Sequence, residues 1–121
     1  MSAPEVQTTL GHVRGFERAG THAFLGVPFA APPVGALRFE PPQPAAPWRG
    51  VRECTAHGPA PIQARDGLSS ELGLLADHPQ SEDCLTLNVW RPATPSRKPR
   101  AVMVWLHGGA FANNTGRWSS F

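Results

Sequence analysis

The sequence predicts an α/β fold whose first part is built from short strands, and three observations support that prediction. Residues 101–106 are apolar without alternation, as in a strand of a parallel sheet that is covered on both faces. Residues 6–10 and 12–18 alternate loosely and residues 21–27 follow as a hairpin partner, as in a small antiparallel sheet. The 14 prolines and 12 glycines among 121 residues favour turns and extended connections over helices.

Length and charge narrow the possible classes of function. A chain of 121 residues, 40% hydrophobic and 17% charged, has the size of one globular domain. The net charge of +2 is small, and the one dense basic cluster, residues 97–100, lies in a Pro- and Ser-rich connection, so we expect no nucleic-acid partner.

No stretch approaches the ~18 apolar residues of a membrane span. The first residues lack the features of a signal peptide, so we predict no membrane partner and a cytoplasmic location. The glycosylation acceptor at Asn113 matters only in a secreted protein.

The first elements are predicted to be strands that include a hairpin. Residues 6–10 and 12–18 carry β-branched and aromatic side chains in loose alternation. Residues 21–27 follow as the hairpin partner, after a turn at Ala19 and Gly20. A small antiparallel sheet is therefore expected to open the chain.

A proline-rich segment follows this sheet. Seven prolines between residues 28 and 47 leave too few backbone donors for a β-ladder and predict an extended path. Residues 41–44 also fit an SH3-type ligand. We prefer a segment held against a core, with Leu37, Phe39 and Trp48 as its anchors.

The second half is predicted to contain one helix and two strands. Residues 68–77 are the only segment that fits a helix, and residues 84–90 alternate as a half-buried strand that Pro92 stops. The buried strand over residues 101–106 comes next and ends in His107-Gly108-Gly109. A glycine pair at the end of a buried strand fits a plain tight turn, and it also fits a site that a ligand approaches closely.

Three motifs in this order resemble one enzyme family. FLGVPFAAPPVGALRFEPPQP, SEDCLTLNVW and VMVWLHGGAF look like the opening of the type-B carboxylesterases, the cholinesterase-like branch of the α/β-hydrolases. The resemblance implies an N-terminal fragment of an α/β-hydrolase, in which a small antiparallel sheet precedes the first strands of the central mixed sheet. Residues 1–121 would then be the N-terminal part of a single carboxylesterase domain, truncated before the turn that carries the nucleophile.

The resemblance gives the glycine turn a chemical role. In these hydrolases a serine attacks an ester carbonyl, and backbone N–H groups after an early strand stabilise the charge that develops on the oxygen. By position in the motif, Gly109 and Ala110 would supply the N–H groups, Gly108 would shape the turn and His107 would support it. Many relatives have a third glycine in place of Ala110. Alanine keeps the N–H group, and its methyl group would narrow the acyl side.

The nucleophile, acid and base of the family are not found in this chain. No G-x-S-x-G occurs, and Ser119 and Ser120 lack the glycine that would follow a nucleophile in that motif. The resemblance implies an enzyme that hydrolyses small-molecule carboxylic esters without a cofactor or metal. The chain alone is expected to be inactive and unstable, with the apolar run exposed, because it requires the missing C-terminal part of the fold. The alternative is a non-catalytic cholinesterase-like binding protein or an inactive truncated gene product.

The SEDC motif contains two further candidates. Glu82 and Asp83 fit an acidic catalytic pair, but in the family the acid of this motif binds the arginine of the GALRF motif, which implies a structural ion pair between Arg38 and Glu82. Secreted relatives join the cysteine of this motif to an earlier one that this chain lacks. Cys54 and Cys84 are therefore predicted to be free thiols, and a bridge between them would need a geometry that the family does not predict.

Overall fold

Short strands in two sheets form the described part of the molecule. The computed structural model describes residues 3–64, 79–109 and 114–116. Within them the elements are β1 (Glu5–Gln7), β2 (His12–Arg14), β3 (Phe16–Arg18), β4 (Thr21–Pro28), a 3-10 helix (Gly35–Leu37), β5 (Val51–Glu53) and β6 (Thr86–Pro92). In this part of the chain no helix is long and apolar enough to cross a membrane. The predicted helix over residues 68–77 lies outside the described residues. The described residues contain strands and one 3-10 helix, so they do not show the α part of the predicted α/β class.

The first sheet has the strand order β1-β2-β5. β1 is antiparallel to β2, whereas β5 is parallel to it, so the sheet is mixed rather than antiparallel as predicted. Arg14 lies opposite Glu5 on one side and Glu53 on the other. Its guanidinium lies 2.7 Å from the Glu5 carboxylate and also contacts Glu53. Pairing with Glu5 raises the pKa of Arg14, and the three charged groups connect all three strands.

The second sheet has the order β3-β4-β6 and is antiparallel throughout. The predicted hairpin is confirmed, since β3 and β4 pair with Arg18 opposite Thr21. Its two loop residues, Ala19 and Gly20, have φ values of 50° and 72°. Two positive φ values in a two-residue loop match the right-handed twist of the strands that it joins.

Gly15 divides the predicted strand over residues 12–18 into β2 and β3, which belong to different sheets. A Cβ at Gly15 would lie 2.1 Å from the backbone oxygen of Ala23, so only glycine fits here. The Gly15 N–H donates to Pro4 O at 2.9 Å. The prediction of one continuous strand is wrong because the chain crosses between sheets at this close backbone contact.

The predicted strand over residues 84–90 is found two residues later, as β6. Pro92 ends it, opposite Thr21, where the missing N–H of proline interrupts no interior ladder bond. The pairing of β4 with β6 is interrupted between Phe24 and Val27, and Gly26, with φ of 66°, lies in this bulge. β4 is therefore covered by a strand on both edges, with one local kink.

The core lies between the two sheets. Val13, Phe24 and Cys54 are buried against one another, and Val27 and Trp48 pack around them. The indole N–H of Trp48 donates to His12 O at 2.8 Å, so the predicted Trp48 anchor is confirmed. Trp48 is only partly buried, so its indole ring packs on the core while its N–H group is held by the backbone.

The proline-rich segment is extended, as predicted, apart from its 3-10 helix. Phe39, however, is not an anchor, because its side chain is 92% exposed. Its φ of 61° turns the backbone directly after the 3-10 helix. The guanidinium of Arg38 lies 5.0 Å from the centre of the Phe39 ring, which is a cation–π contact in solvent.

Residues 101–106 form no strand, and their apolar side chains are exposed, with Met103 at 90% and Trp105 at 71%. The prediction of a buried strand is wrong for this structure. A buried strand needs neighbours on both edges, and in the described part of the chain none pairs with this run. The expected exposure of Val104, Trp105 and Leu106 in the chain by itself is what the structure has.

Candidate active site

The candidate site is the glycine turn that follows the apolar run. Gly109 has a φ of 126°, which side-chain-bearing residues rarely adopt. Gly108 is exposed, and no atom lies within 4 Å of the place that a Cβ would take. Nδ1 of His107 lies 2.7 Å from the carbonyl oxygen of Gly108. The turn thus presents an open backbone with a histidine against it.

Three of the four predicted turn residues are described. Nδ1 of His107 contacts its sequence neighbour Gly108, and Gly109 takes the backbone conformation for which glycine is suited. The supporting role of His107 stays a prediction. Ala110 lies outside the described residues. The roles of the Gly109 and Ala110 N–H groups stay predictions.

Gln63 holds the chain a few residues downstream of the turn. Its side-chain amide pairs with both backbone groups of Asn114: Nε2 donates to Asn114 O at 3.0 Å, and Asn114 N–H donates to Oε1. Asn114 has a φ of 87°, and its own side chain accepts the N–H of Thr115 at 2.8 Å. Thr115 is buried, with 7% exposure. Residues 114–116 are therefore attached to the body of the protein.

Asn88 on β6 forms a second attachment. Its Nδ2 donates to Gly116 O at 3.3 Å, and its Oδ1 accepts the N–H of Gly26 at 3.0 Å. One side chain thus connects the bulge of β4 to the segment beyond the turn. Sequence reasoning missed both amides. Asparagine is depleted in strands, so Asn88 within an alternating strand was a weak indication, and nothing marked Gln63.

Arg38 and Glu82 lie together, as the family resemblance implies. Nε of Arg38 is 2.7 Å from Oε1 of Glu82, and the two side chains are 58% and 35% exposed. Asp83 does not join this pair; its backbone N–H donates to Oγ of Ser81 at 3.1 Å. The pair connects the proline-rich segment to the chain before β6. At this exposure such a pair contributes about 0 to 1 kcal/mol.

Both cysteines are free thiols, as predicted. Cys54 is fully buried, and its backbone joins the two sheets: its N–H donates to Arg14 O, and its carbonyl accepts the N–H of Leu25, both at 2.7 Å. Burial raises the pKa of Cys54, and also that of the half-buried Cys84. A thiol with a raised pKa carries little thiolate near neutral pH, so neither is suited to be a nucleophile.

Other features of the described residues do not coincide with the turn. A surface depression of about 430 Å³ is lined by parts of β4 and β5 and by residues within 55–59 and 81–86, and no described residue of the turn lines it. Among the residues that the structure describes, no group of three His, Cys, Asp or Glu is placed to hold a metal ion.

The family model of the carboxylesterases matches residues 2–120 of this chain. This chain belongs to the carboxylesterase family. The family resemblance based on three motifs is thereby confirmed over almost the whole sequence.

Individual members of the carboxylesterase family are similar along most of this chain. The acylcarnitine hydrolase of Mus musculus is 47% identical over 112 residues, which cover 88% of this chain and 20% of that protein. The phenmedipham hydrolase of Pseudarthrobacter oxydans is 42% identical over 122 residues, which cover 100% of this chain and 24% of that protein. Among solved structures, a thermophilic PNB esterase matches with a TM-score of 0.85 and 43% identity, over 93% of this chain and 23% of its own.

The matches therefore cover nearly all of this carboxylesterase chain and only a small part of each relative. The chain spans about a fifth to a quarter of the length of these relatives. The arrangement of the described strands is shared with that esterase, since the structural match covers most of this chain at a high TM-score.

Proposed function

We propose that this chain is the N-terminal part of a serine carboxylesterase that hydrolyses carboxylic esters, to which it contributes the oxyanion-hole turn and no triad residue. The observation that carries the proposal is Gly109 at a φ of 126° in an exposed His-Gly-Gly turn, within a chain of the carboxylesterase family. The complete protein would have the α/β-hydrolase fold, with residues 1–121 as part of one domain.

The backbone of the turn can come close to the oxygen of a reacting carbonyl. The absence of a Cβ at Gly108 and Gly109 lets a substrate oxygen reach the backbone closely. Two N–H groups aimed at the developing oxyanion, here assigned to Gly109 and Ala110, stabilise the transition state more than the ground state. In this proposal the role of His107 is to support the turn, and its contact with Gly108 is consistent with that role.

The remaining parts of the reaction are assigned to the rest of the polypeptide. No G-x-S-x-G occurs in the chain, so the attacking serine and its base belong elsewhere. The substrate is a small-molecule ester, and water is the second substrate.

The test uses the complete polypeptide that contains this chain and a p-nitrophenyl ester as substrate. Ala110→Gly keeps the N–H group and should keep kcat. Ala110→Pro removes it and should lower kcat by about 100- to 1,000-fold, with a smaller change in KM.

A melting curve shows whether Ala110→Pro is still folded. Near-normal kcat in a folded Ala110→Pro enzyme would remove the turn from the mechanism. A complete wild-type protein without any ester hydrolysis would favour the non-catalytic binding alternative.

A further inference from the structure

We propose that the second sheet carries a proton-sensitive contact, in which neutral His22 holds the end of β6 and protonated His22 releases it. His22 is the middle member of a row of three side chains, one from each strand of this sheet. The row consists of Glu17 on β3, His22 on β4 and Arg91 on β6. It is separate from the glycine turn, and its test needs no ester hydrolysis.

The register of the strands brings these three side chains together. His22 lies opposite Glu17 on one side and opposite Arg91 on the other. Nε2 of His22 is 3.3 Å from Oε2 of Glu17, and Nδ1 of His22 is 3.1 Å from Nη2 of Arg91. The His22 side chain is 16% exposed, whereas Glu17 and Arg91 both reach solvent. Each ring nitrogen of His22 therefore faces one charged partner.

The chemistry of the two partners fixes the tautomer of His22. A guanidinium donates hydrogen bonds and cannot accept them, so Nδ1 of His22 must be the acceptor of the Arg91 N–H. The proton of the neutral ring is then on Nε2, from which it points to the carboxylate of Glu17. Neutral His22 thus connects β6 to β3 through the central strand of the sheet.

A proton taken up by His22 changes its two contacts in opposite ways. Histidine side chains ordinarily change charge between about pH 5 and pH 8. The added proton binds Nδ1, which then donates and can no longer accept the Arg91 N–H. Two cations would face each other across this contact, whereas the contact with Glu17 becomes an ion pair. Protonated His22 therefore stays with β3 and releases Arg91.

The other charged or titratable groups on the strands that contact β4 are Arg18 on β3 and His12 and Arg14 on β2. Arg18 directly follows Glu17, so it lies on the opposite face of β3. His12 is exposed, and Arg14 binds two carboxylates of the first sheet. On the described strands, Glu17 and Arg91 are thus the charged groups that contact His22.

The first sheet has a row with the same layout and without a histidine. There Arg14 on the central strand lies between Glu5 and Glu53. Arginine keeps its charge, and carboxyl groups ordinarily ionise near about pH 4. The first row should therefore not change between about pH 5.5 and pH 8, which makes it an internal control.

The experiment measures local opening at the end of β6 in the complete polypeptide. The Ala93 N–H donates to Gly20 O at 2.8 Å, so its hydrogen exchange reports release of this end. The Cys54 N–H donates to Arg14 O and reports on the first row. Exchange at both amides is measured between about pH 5.5 and pH 8 and corrected for its intrinsic dependence on pH. NMR of the His22 ring follows its protonation over the same range.

In the wild type, the protection of Ala93 from exchange should fall by about 1.5- to 5-fold as His22 takes up its proton, the size expected of a solvent-accessible contact. The protection of Cys54 should not change. His22→Gln cannot take up a proton and Arg91→Met has no N–H to release, so both should remove the pH dependence at Ala93. Arg18→Met is the matched control, since it removes the same charge from β3 and should leave the pH dependence intact.

Constant protection of Ala93 while the His22 ring takes up its proton overturns the proposal, and so does a pH dependence that persists in a folded Arg91→Met protein. A His22 ring that stays neutral down to about pH 5.5 overturns it as well. Equal changes at Ala93 and Cys54 would also contradict it, because they would mean that both sheets loosen together. None of these outcomes depends on kcat, so they are independent of whether the protein hydrolyses esters.

Discussion

Two apolar segments of this molecule differ in their structure although they are similar in composition. β4 is paired with β3 on one edge and β6 on the other, and it contributes Ala23, Phe24 and Leu25 to the buried residues. Residues 101–106 are at least as apolar, yet they form no strand and are exposed. The difference lies in the neighbours that the described chain provides, and not in the segments themselves.

The comparison shows how β-structure depends on partners. A strand satisfies its backbone N–H and C=O groups through hydrogen bonds to adjacent strands. An apolar run stabilises the fold only when its side chains leave water. β4 gains on both counts within 121 residues. The apolar run gains on neither count within the described residues.

The largest expected effect concerns the isolated chain. We expect the 121-residue polypeptide not to fold stably, because Val104, Trp105 and Leu106 are left in water and no strand of the described residues pairs with them. Circular dichroism during heating should show a broad change without a cooperative transition. A sharp two-state melt would show that the two small sheets are sufficient.

The next prediction compares the two segments within the complete polypeptide. Phe24→Ala should reduce the free energy of unfolding by about 3–5 kcal/mol, since Phe24 is buried in the core. Trp105→Ala should cost a similar amount there, because the rest of the fold is expected to cover the apolar run. Urea unfolding measures both.

Phe39→Ala is the matched control and should change the free energy by no more than about 0.5 kcal/mol, since Phe39 is exposed. A Trp105→Ala cost as small as that of Phe39→Ala would mean that the run stays exposed in the complete protein.

A smaller effect concerns the junction of the two sheets at Cys54. Burial raises the pKa of this thiol, so the folded state holds its proton more tightly than the unfolded state. This contribution to stability is present below the unfolded pKa and is lost as pH rises through the folded value. Above about pH 8.5, stability should fall by at most about 1.4 kcal/mol per pH unit for this thiol.

Urea unfolding of the complete polypeptide at several alkaline pH values checks this, with Cys54→Ala as the variant. The decline should be shallower in Cys54→Ala than in the wild type. Equal slopes would mean that Cys54 titrates alike in the folded and unfolded states.

The smallest expected effect concerns the Arg38–Glu82 pair, whose residues lie between β4 and residues 101–106 in the sequence. Glu82→Gln should cost about 0–1 kcal/mol, because both side chains reach solvent. The kcat of the complete enzyme should not change. A Glu82→Gln protein with wild-type stability and a lowered kcat would make Glu82 a catalytic residue.

The sequence was informative where local rules decide the structure. The hairpin at Ala19 and Gly20 follows from turn chemistry, and Trp48 as an anchor follows from its size and its N–H group. The family resemblance brought Arg38 and Glu82 together, which local patterns alone do not predict. The roles assigned to His107, Gly108 and Gly109 come from the same resemblance and stay predictions.

Features that depend on distant contacts were missed. The division at Gly15 results from its contact with Ala23, and the parallel pairing of β2 with β5 joins residues that are 39 positions apart, such as Arg14 and Glu53. No local sequence pattern marks either the division at Gly15 or the pairing of β2 with β5. Gln63 bonds Asn114, which is 51 positions away, so this contact is visible only once the chain has folded.

The position of β6 in the second sheet has a consequence for synthesis on the ribosome. β4 ends at Pro28, and its partner β6 begins at Thr86, so the ribosome adds about 60 residues before the two can pair. At about 5–20 residues per second this takes roughly 3–12 seconds, much longer than the microseconds in which a hairpin forms. During that interval the hairpin of β3 and β4 has an open apolar edge outside the exit tunnel. Chaperones that bind nascent chains would meet this edge before any part of the glycine turn has been translated.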